Sequence, residues 1–278
     1  MSRKIDAHQH YWHPSRGDYD WMPLDNRTLN RPYHPADLEP LLVKQDIAAS
    51  VVVQAAASLE ETEYMLGIAD SHSSVAAVVG WVNFEDPRQR LQMERLAQHP
   101  KLRGFRPMIQ DIQDDHWMLR EDIAWAFEAM TELGLRFDAL GFPRHLEPFC
   151  ELLTRYPDLP VVLDHGLKPQ IRHHSPQSFA IWAEGMQRLA EDTGAYCKLS
   201  GLVTECDGWS LEALAPYVAH LVKIFGAERL MWGSDWPVAL LETSYADWHL
   251  AAQQLTADLS QPERDAIFGG TATRFYGL

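Results

Sequence analysis

Cysteine is scarce in this chain: Cys150, Cys197 and Cys206 are the only three among 278 residues. The number is odd and no pair has C-x-x-C spacing, which argues against a disulfide framework or a thiolate zinc site and for a reducing cytoplasm. Positive charge is short as well, with 24 Lys and Arg against 39 Asp and Glu and a formal charge of −15. Clustered Lys and Arg carry most nucleic-acid affinity, so this balance speaks against nucleic acid as a partner and for an acidic, well-solvated surface. No run approaches the roughly 18 apolar residues of a membrane span. The opening MSRKIDAHQH has no apolar segment behind its basic residues, so neither a membrane partner nor an address label is expected. Low-complexity stretches and Pro/Ser-rich linkers are absent too. With 46% hydrophobic residues one large core can be buried, and a single domain, 1–278, is expected.

What is present is rhythm. Apolar, β-branched runs recur at 5–9 (IDAHQ), 50–55 (SVVVQA), 75–83 (VAAVVGWVN), 102–109 (LRGFRPMI), 134–140 (GLRFDAL), 159–166 (LPVVLDHG), 195–201 (AYCKLSG) and 229–236 (RLMWGSDW). Amphipathic segments such as PADLEPLLVKQ, LEETEYMLGIADS and LEALAPYVAHLVKIFG lie between them, several opened by Asp, Ser or Pro or closed by Gly. Eight strand–helix repeats in about 250 residues are the size of an α/β fold of the (β/α)8 barrel class. A long loop after the first strand distorts the repeat.

In such a barrel the residues just past each strand's carboxyl end form the functional face. The first strand offers His8 and His10, which share a side because strand side chains alternate with period two. Later strands offer Gln54, Arg103 or Arg106, Asp138, Asp164 and His165, Lys198, and Asp235. A barrel core needs none of these, and burying them unpaired costs about several kcal/mol each.

His8, His10, His165 and Asp235 make a three-imidazole, one-carboxylate set. It suits one divalent metal ion, zinc or manganese. It serves equally without a metal, the histidines donating to a carbonyl oxygen while Asp235 deprotonates water. Arg106 is assigned to substrate oxygens through its planar fork, and Lys198 to an oxyanion or carboxylate. Gln54 either orients substrate hydroxyls or braces adjacent strands. The loop from Tyr11 to His34 carries Trp12 and Trp21, whose faces suit the C–H surface of a sugar-like ring, so it is expected to wall the site. The basic stretch GLKPQIRHHSPQ places Lys168 and Arg172 after the sixth strand, either to steer an anion or as an ordinary solvated loop.

Through IDAHQHYW, KLRGFRPMIQD, PVVLDHGLKP, YCKLSGLVTE and RLMWGSDWPV, in that order, the chain resembles the amidohydrolase superfamily, in its amidohydrolase-2 branch that contains sugar lactonases. The resemblance covers nearly the whole length. It implies a barrel hydrolase that opens an aldonolactone, such as L-fucono- or L-rhamnono-lactone, to the free acid, with His8, His10, His165 and Asp235 at the catalytic positions. Two-metal members of the superfamily place a bridging Lys or carboxylate on the fourth strand and a His on the fifth, where this chain has Arg106 and Asp138. The resemblance therefore implies one metal ion or none. Alternatives within the branch are hydrolysis of a pyrone dicarboxylate or muconolactone, and a metal-dependent decarboxylase; outside it stands a non-catalytic sugar binder.

Overall fold

The structure, a computed structural model, describes residues 3–278. Its frame is one eight-stranded parallel sheet in which every strand pairs with its successor in sequence. The strands are β1 (Ile5–Gln9), β2 (Ala49–Val53), β3 (Val75–Gly80), β4 (Leu102–Phe105), β5 (Arg136–Ala139), β6 (Val161–Leu163), β7 (Tyr196–Leu199) and β8 (Leu230–Trp232). Seven of them are shorter than the apolar runs suggest. Chain such as Pro107–Ile109 or Asp164–Gly166 leaves the sheet at the functional end, where no neighbouring strand remains to pair with it.

Helices α1 (Pro35–Lys44), α2 (Leu59–Ser71), α3 (Arg90–Ala97), α4 (Ala124–Glu132), α5 (Leu146–Arg155), α6 (Pro176–Asp192), α7 (Leu211–Phe225) and α8 (Tyr245–Leu255) cover the outside. Their starts are chemically marked: Ser58, Ser175, Ser210 and Ser244 each accept a backbone N–H from the first turn of the helix that follows. Two further helices, α9 (Gln261–Asp265) and α10 (Thr271–Tyr276), follow the last repeat and lack any counterpart in the eight-fold pattern. Phe275 and Tyr276 of α10 pack with Ile5, Ala7, Val51, Val79, Val162 and Met231, residues of β1, β2, β3, β6 and β8 on the inner side of the sheet. The C-terminus thus plugs the barrel floor.

The circle closes between β1 and β8 without a regular ladder. Asp235 N–H donates to His8 O at 2.8 Å, and His10 N–H to Trp236 O at 2.7 Å. Below them the Asp6 carboxylate accepts from Ser234 N–H at 2.8 Å and from the Tyr245 hydroxyl of α8 at 3.0 Å. Gly233 makes this approach feasible, because a Cβ there would fall 2.7 Å from His8 Cβ. The seam itself carries Asp235 to the histidines.

Candidate active site

Period two from Ile5 and Ala7, which pack inside the barrel, would turn His8 outward with Asp6. The pairing register of β1 with β2 shifts between Asp6 and Gln9. An irregularity of this kind re-aims the side chains beyond it, and both imidazoles face the interior, their Nε2 atoms 3.2 Å apart. Asp235, in the left-handed region at φ 55, sets Oδ1 3.7 Å from His8 Nε2 and 3.4 Å from His10 Nε2. His165, just past β6, brings its Nε2 to 3.8 Å from the same oxygen. The Oγ of Ser200 lies 2.8 Å from His165 Nδ1. At Gly201 (φ 64) a Cβ would come within 2.5 Å of that nitrogen, so the ring seats only over glycine.

Partners assign the protons. The Lys198 ammonium donates to His8 Nδ1 at 3.0 Å, which leaves the His8 proton on Nε2, facing the site. His10 Nδ1 lies 2.7 Å from Val53 O; it must donate to that carbonyl, so its Nε2 presents a lone pair. Burial lowers all three imidazole pKa values, His8 well below the usual 6.5 and His165 to about 4, and the rings are neutral at pH 7. Burial also pushes the Asp235 carboxyl up, but the imidazoles, protonated in the acid range where this group titrates, outweigh it, His165 most, then His10 through a hydrogen bond, then His8, and hold it well below the usual carboxylate range. The site at neutral pH is one carboxylate ringed by three neutral imidazoles.

Those donors fit a metal ion. The ligand atoms of His8, His10 and Asp235 lie within 4.8 Å of one another, and the separations of 3.2 to 3.8 Å approximate the edges of a tetrahedron with zinc bonds of about 2.0–2.1 Å. His8 would join as a ligand in its other tautomer, with the ring proton on Nδ1 beside Asp164 Oδ1 at 3.5 Å. A second grouping, His8 with Asp164 and His165, is preoccupied: Asp164 lies 3.0 Å from Lys198 Nζ and 3.3 Å from Arg106 Nη1.

A cavity of about 180 Å³ opens above the four residues, lined by His10, Trp12, Trp21, Arg106, Lys168 and Asp235 among others. Drug-sized ligands occupy about 300–1,000 Å³, so this space suits one small ring. Trp12 and Trp21 meet edge to face with centroids 5.6 Å apart, and Trp21 Nε1–H donates to Ala55 O at 2.6 Å. The long loop is therefore a wall of the cavity. Its aromatic body is mostly buried; Tyr11, Trp12 and Tyr33 are sealed from solvent.

Two residues considered for the substrate lie outside the cavity: Lys198, whose assignment needs correction, and Gln54, for which the bracing alternative is the one found. Lys198 does not reach the cavity: it is fully buried beneath it, 2.5 Å from Asp138 and 3.0 Å from Asp164. Burial raises the Asp138 carboxyl in spite of the ammonium, whereas Lys198, His8 and Arg106 together overcome the burial of Asp164 and hold it well below its usual range. A lone ammonium between two buried carboxylates is committed to them. Gln54 is also buried, its Nε2–H donating to Arg106 O at 2.7 Å; it braces β2 against the segment after β4 and does not touch the cavity. Of the two candidate arginines, Arg103 binds the carbonyl oxygens of Pro100 and Leu102, away from the site. Arg106 lines the cavity, steadied by Gln54 O and Asp164. Lys168 lines it too, whereas Arg172 pairs with Asp207 at 2.6 Å.

Known proteins place this geometry. The amidohydrolase family matches residues 5–278. The chain belongs to that family. It is 40% identical to the L-fucono-1,5-lactonase of Burkholderia ambifaria, over all of this chain and 97% of that protein. Identity to the L-fucono-1,5-lactonase of Burkholderia multivorans is 37%, over 99% and 96% of the two. An amidohydrolase of Burkholderia multivorans solved with bound zinc superposes with a TM-score of 0.94 at 36% identity, all of both chains being covered.

The cavity also has walls that the strand ends did not indicate: Ala55, Met108, Gln110, Leu140, Thr204 and Val238 line it as well. Most of them follow the strands by several residues, in irregular chain, and nothing in their types marks them. Tyr276 was equally hidden; its hydroxyl donates to Asp138 at 2.8 Å from the far end of the sequence.

Proposed function

We propose that this protein hydrolyses a sugar 1,5-lactone of the L-fucono type to the open-chain acid. The observation that carries the reading is the convergence of three imidazole nitrogens on one Asp235 oxygen within 3.4 to 3.8 Å, in a chain 40% identical over its full length to an L-fucono-1,5-lactonase.

The lactone ring packs against Trp21, the exposed member of the aromatic pair, with its carbonyl toward Arg106. Arg106, which lines the cavity, adds positive charge beside the carbonyl oxygen, and the buried His8 stands behind it, 3.5 Å from Arg106 Nη1. The ionised Asp235 carboxylate takes a proton from water as the water oxygen bonds to the carbonyl carbon. The ring C–O bond then breaks, and Asp235 returns that proton to the departing ring oxygen. Its carboxyl is a weak base, so the arrangement depends on positioning more than on basicity; the leaving alkoxide stays tethered, and a lactone is an activated ester. A divalent ion held by His8, His10, His165 and Asp235 would, when bound, polarise the carbonyl and acidify the attacking water.

The pyrone dicarboxylate alternative calls for several free cations, and Arg106 is already paired with Asp164. No helix among the described residues is long and apolar enough to cross a membrane, and three buried free cysteines suit a reducing compartment. A pH-indicator screen of aldonolactones, run on chelated and on zinc-supplemented protein, tests the function. Turnover of L-fucono-1,5-lactone well above the buffer rate is expected; a protein inert towards every lactone in both conditions would sink the reading.

A further inference from the structure

Four successive residues after β6 sit in the left-handed region: His165 (φ 56), Gly166 (φ 56), Leu167 (φ 55) and Lys168 (φ 49). Three of them carry side chains, for which this conformation is disfavoured, and such residues normally occur singly. Strain of this kind persists only where the surroundings impose it. Trp182 Nε1–H donates to Gly166 O at 2.8 Å, Leu167 is fully buried, and Lys168 N–H closes the turn on His165 O at 3.0 Å. The product of this strained turn is that His165 and Lys168, three apart, both look into one cavity.

The Lys168 ammonium is oriented but not neutralised. Its Nζ donates to Gln110 Oε1 at 2.6 Å and lies 5.5 Å from the centre of the Phe142 ring. Among the described residues no carboxylate pairs with it, although Glu205 lies near enough to feel its charge. The other cations of the site are committed, Arg106 to Asp164 and Lys198 to Asp138 and Asp164. A sugar lactone is neutral, and its hydrolysis creates negative charge first on the carbonyl oxygen and then on the carboxylate of the product. Resting on the lactonase reading, we infer that Lys168 is the residue that receives this charge: a substrate-contacting cation that favours the oxyanion and the open-chain acid over the neutral ring. Gln110 holds it in place until the anion forms.

The test compares wild type, Lys168→Met and Lys168→Arg in lactone turnover and in calorimetric binding of two probes: the sodium salt of the acid made by alkaline opening of L-fucono-1,5-lactone, and the neutral parent sugar L-fucose. A hydrogen bond to a charged group corresponds to about 10- to 100-fold in affinity. Lys168→Met is expected to lose that factor in acid binding and in kcat/KM, with L-fucose binding and melting temperature unchanged, and Lys168→Arg to recover part of both. Acid binding within about twofold of wild type, or an equal loss for L-fucose, overturns the inference, the second because it marks a residue that only shapes the wall. Should wild type turn over no lactone, the functional reading fails while the contrast between acid and neutral sugar still judges Lys168. Wild type that binds neither probe overturns both.

Discussion

Lys198 on β7 and His8 on β1, 190 residues apart in the chain, meet at 3.0 Å inside the barrel. That contact turns His8 into a donor. The ammonium occupies Nδ1, so the ring turns its proton towards His10 and Asp235, the residues that line the cavity above it. Beneath this pair Asp138, Asp164 and Tyr276 complete a buried ionic floor.

Removing the ammonium leaves two buried carboxylates short of a partner. Lys198→Met is expected to lose about 3–5 kcal/mol of stability in chemical denaturation, and adding Asp138→Asn should return part of it. A loss below about 1 kcal/mol would show that the floor rearranges freely.

Asp235 is the proposed base; its backbone belongs to the seam while its side chain faces the cavity. Asp235→Asn keeps the shape and the backbone bond to His8 O, so melting should change little while turnover falls about 10²- to 10⁴-fold. Retention of wild-type turnover would move the base to another residue.

The histidines must stay neutral to work. Burial lowers His165 to about 4 and depresses His8 and His10 from the usual 6.5 as well, so the acid limb of the rate should lie below 6.5 and extend towards 4, where His165 takes a proton. An acid limb centred near 6.5 would mean the rings titrate as if solvated.

Glu61 ties the long loop to the start of α2, its carboxylate accepting from Tyr19 Oη–H at 2.8 Å and from Ala55 N–H at 3.1 Å. Burial raises its pKa from 4.5 to about 7. Between those values the folded protein holds a proton that the unfolded chain has released, so this group's contribution to stability is present at low pH and lost as pH rises towards 7. The melting temperature of Glu61→Gln relative to wild type should therefore climb between pH 5 and pH 8; a constant difference would show that Glu61 does not titrate there.

Trp21 is the partly open face of the aromatic wall. Trp21→Ala should cut kcat/KM about 3- to 10-fold, the scale of one aromatic contact of about 0.5–1.5 kcal/mol, mostly through KM. An unchanged KM would place the substrate elsewhere in the cavity.

The barrel, its eight strands and the four residues at its mouth were legible because each rests on local information. Continuous apolar, β-branched runs mark strands whatever their neighbours, and His8, His10, His165 and Asp235 stand at strand ends where a core has no use for them. Lys198 looked equally suited to a substrate, yet its depth depends on Asp138 and Asp164 arriving from two other strands. Gln54 was ambiguous for the same reason, its partner being a backbone carbonyl beyond β4.

The chain by itself determined the fold class and the kind of chemistry, since hydrophobic period and residue type are properties of short segments. Only the closed barrel decided which polar groups face the cavity and which neutralise one another below it. That choice turns on contacts between strands far apart in sequence, on a register shift in β1 and on a left-handed turn after β6, none of which leaves a trace in any one segment.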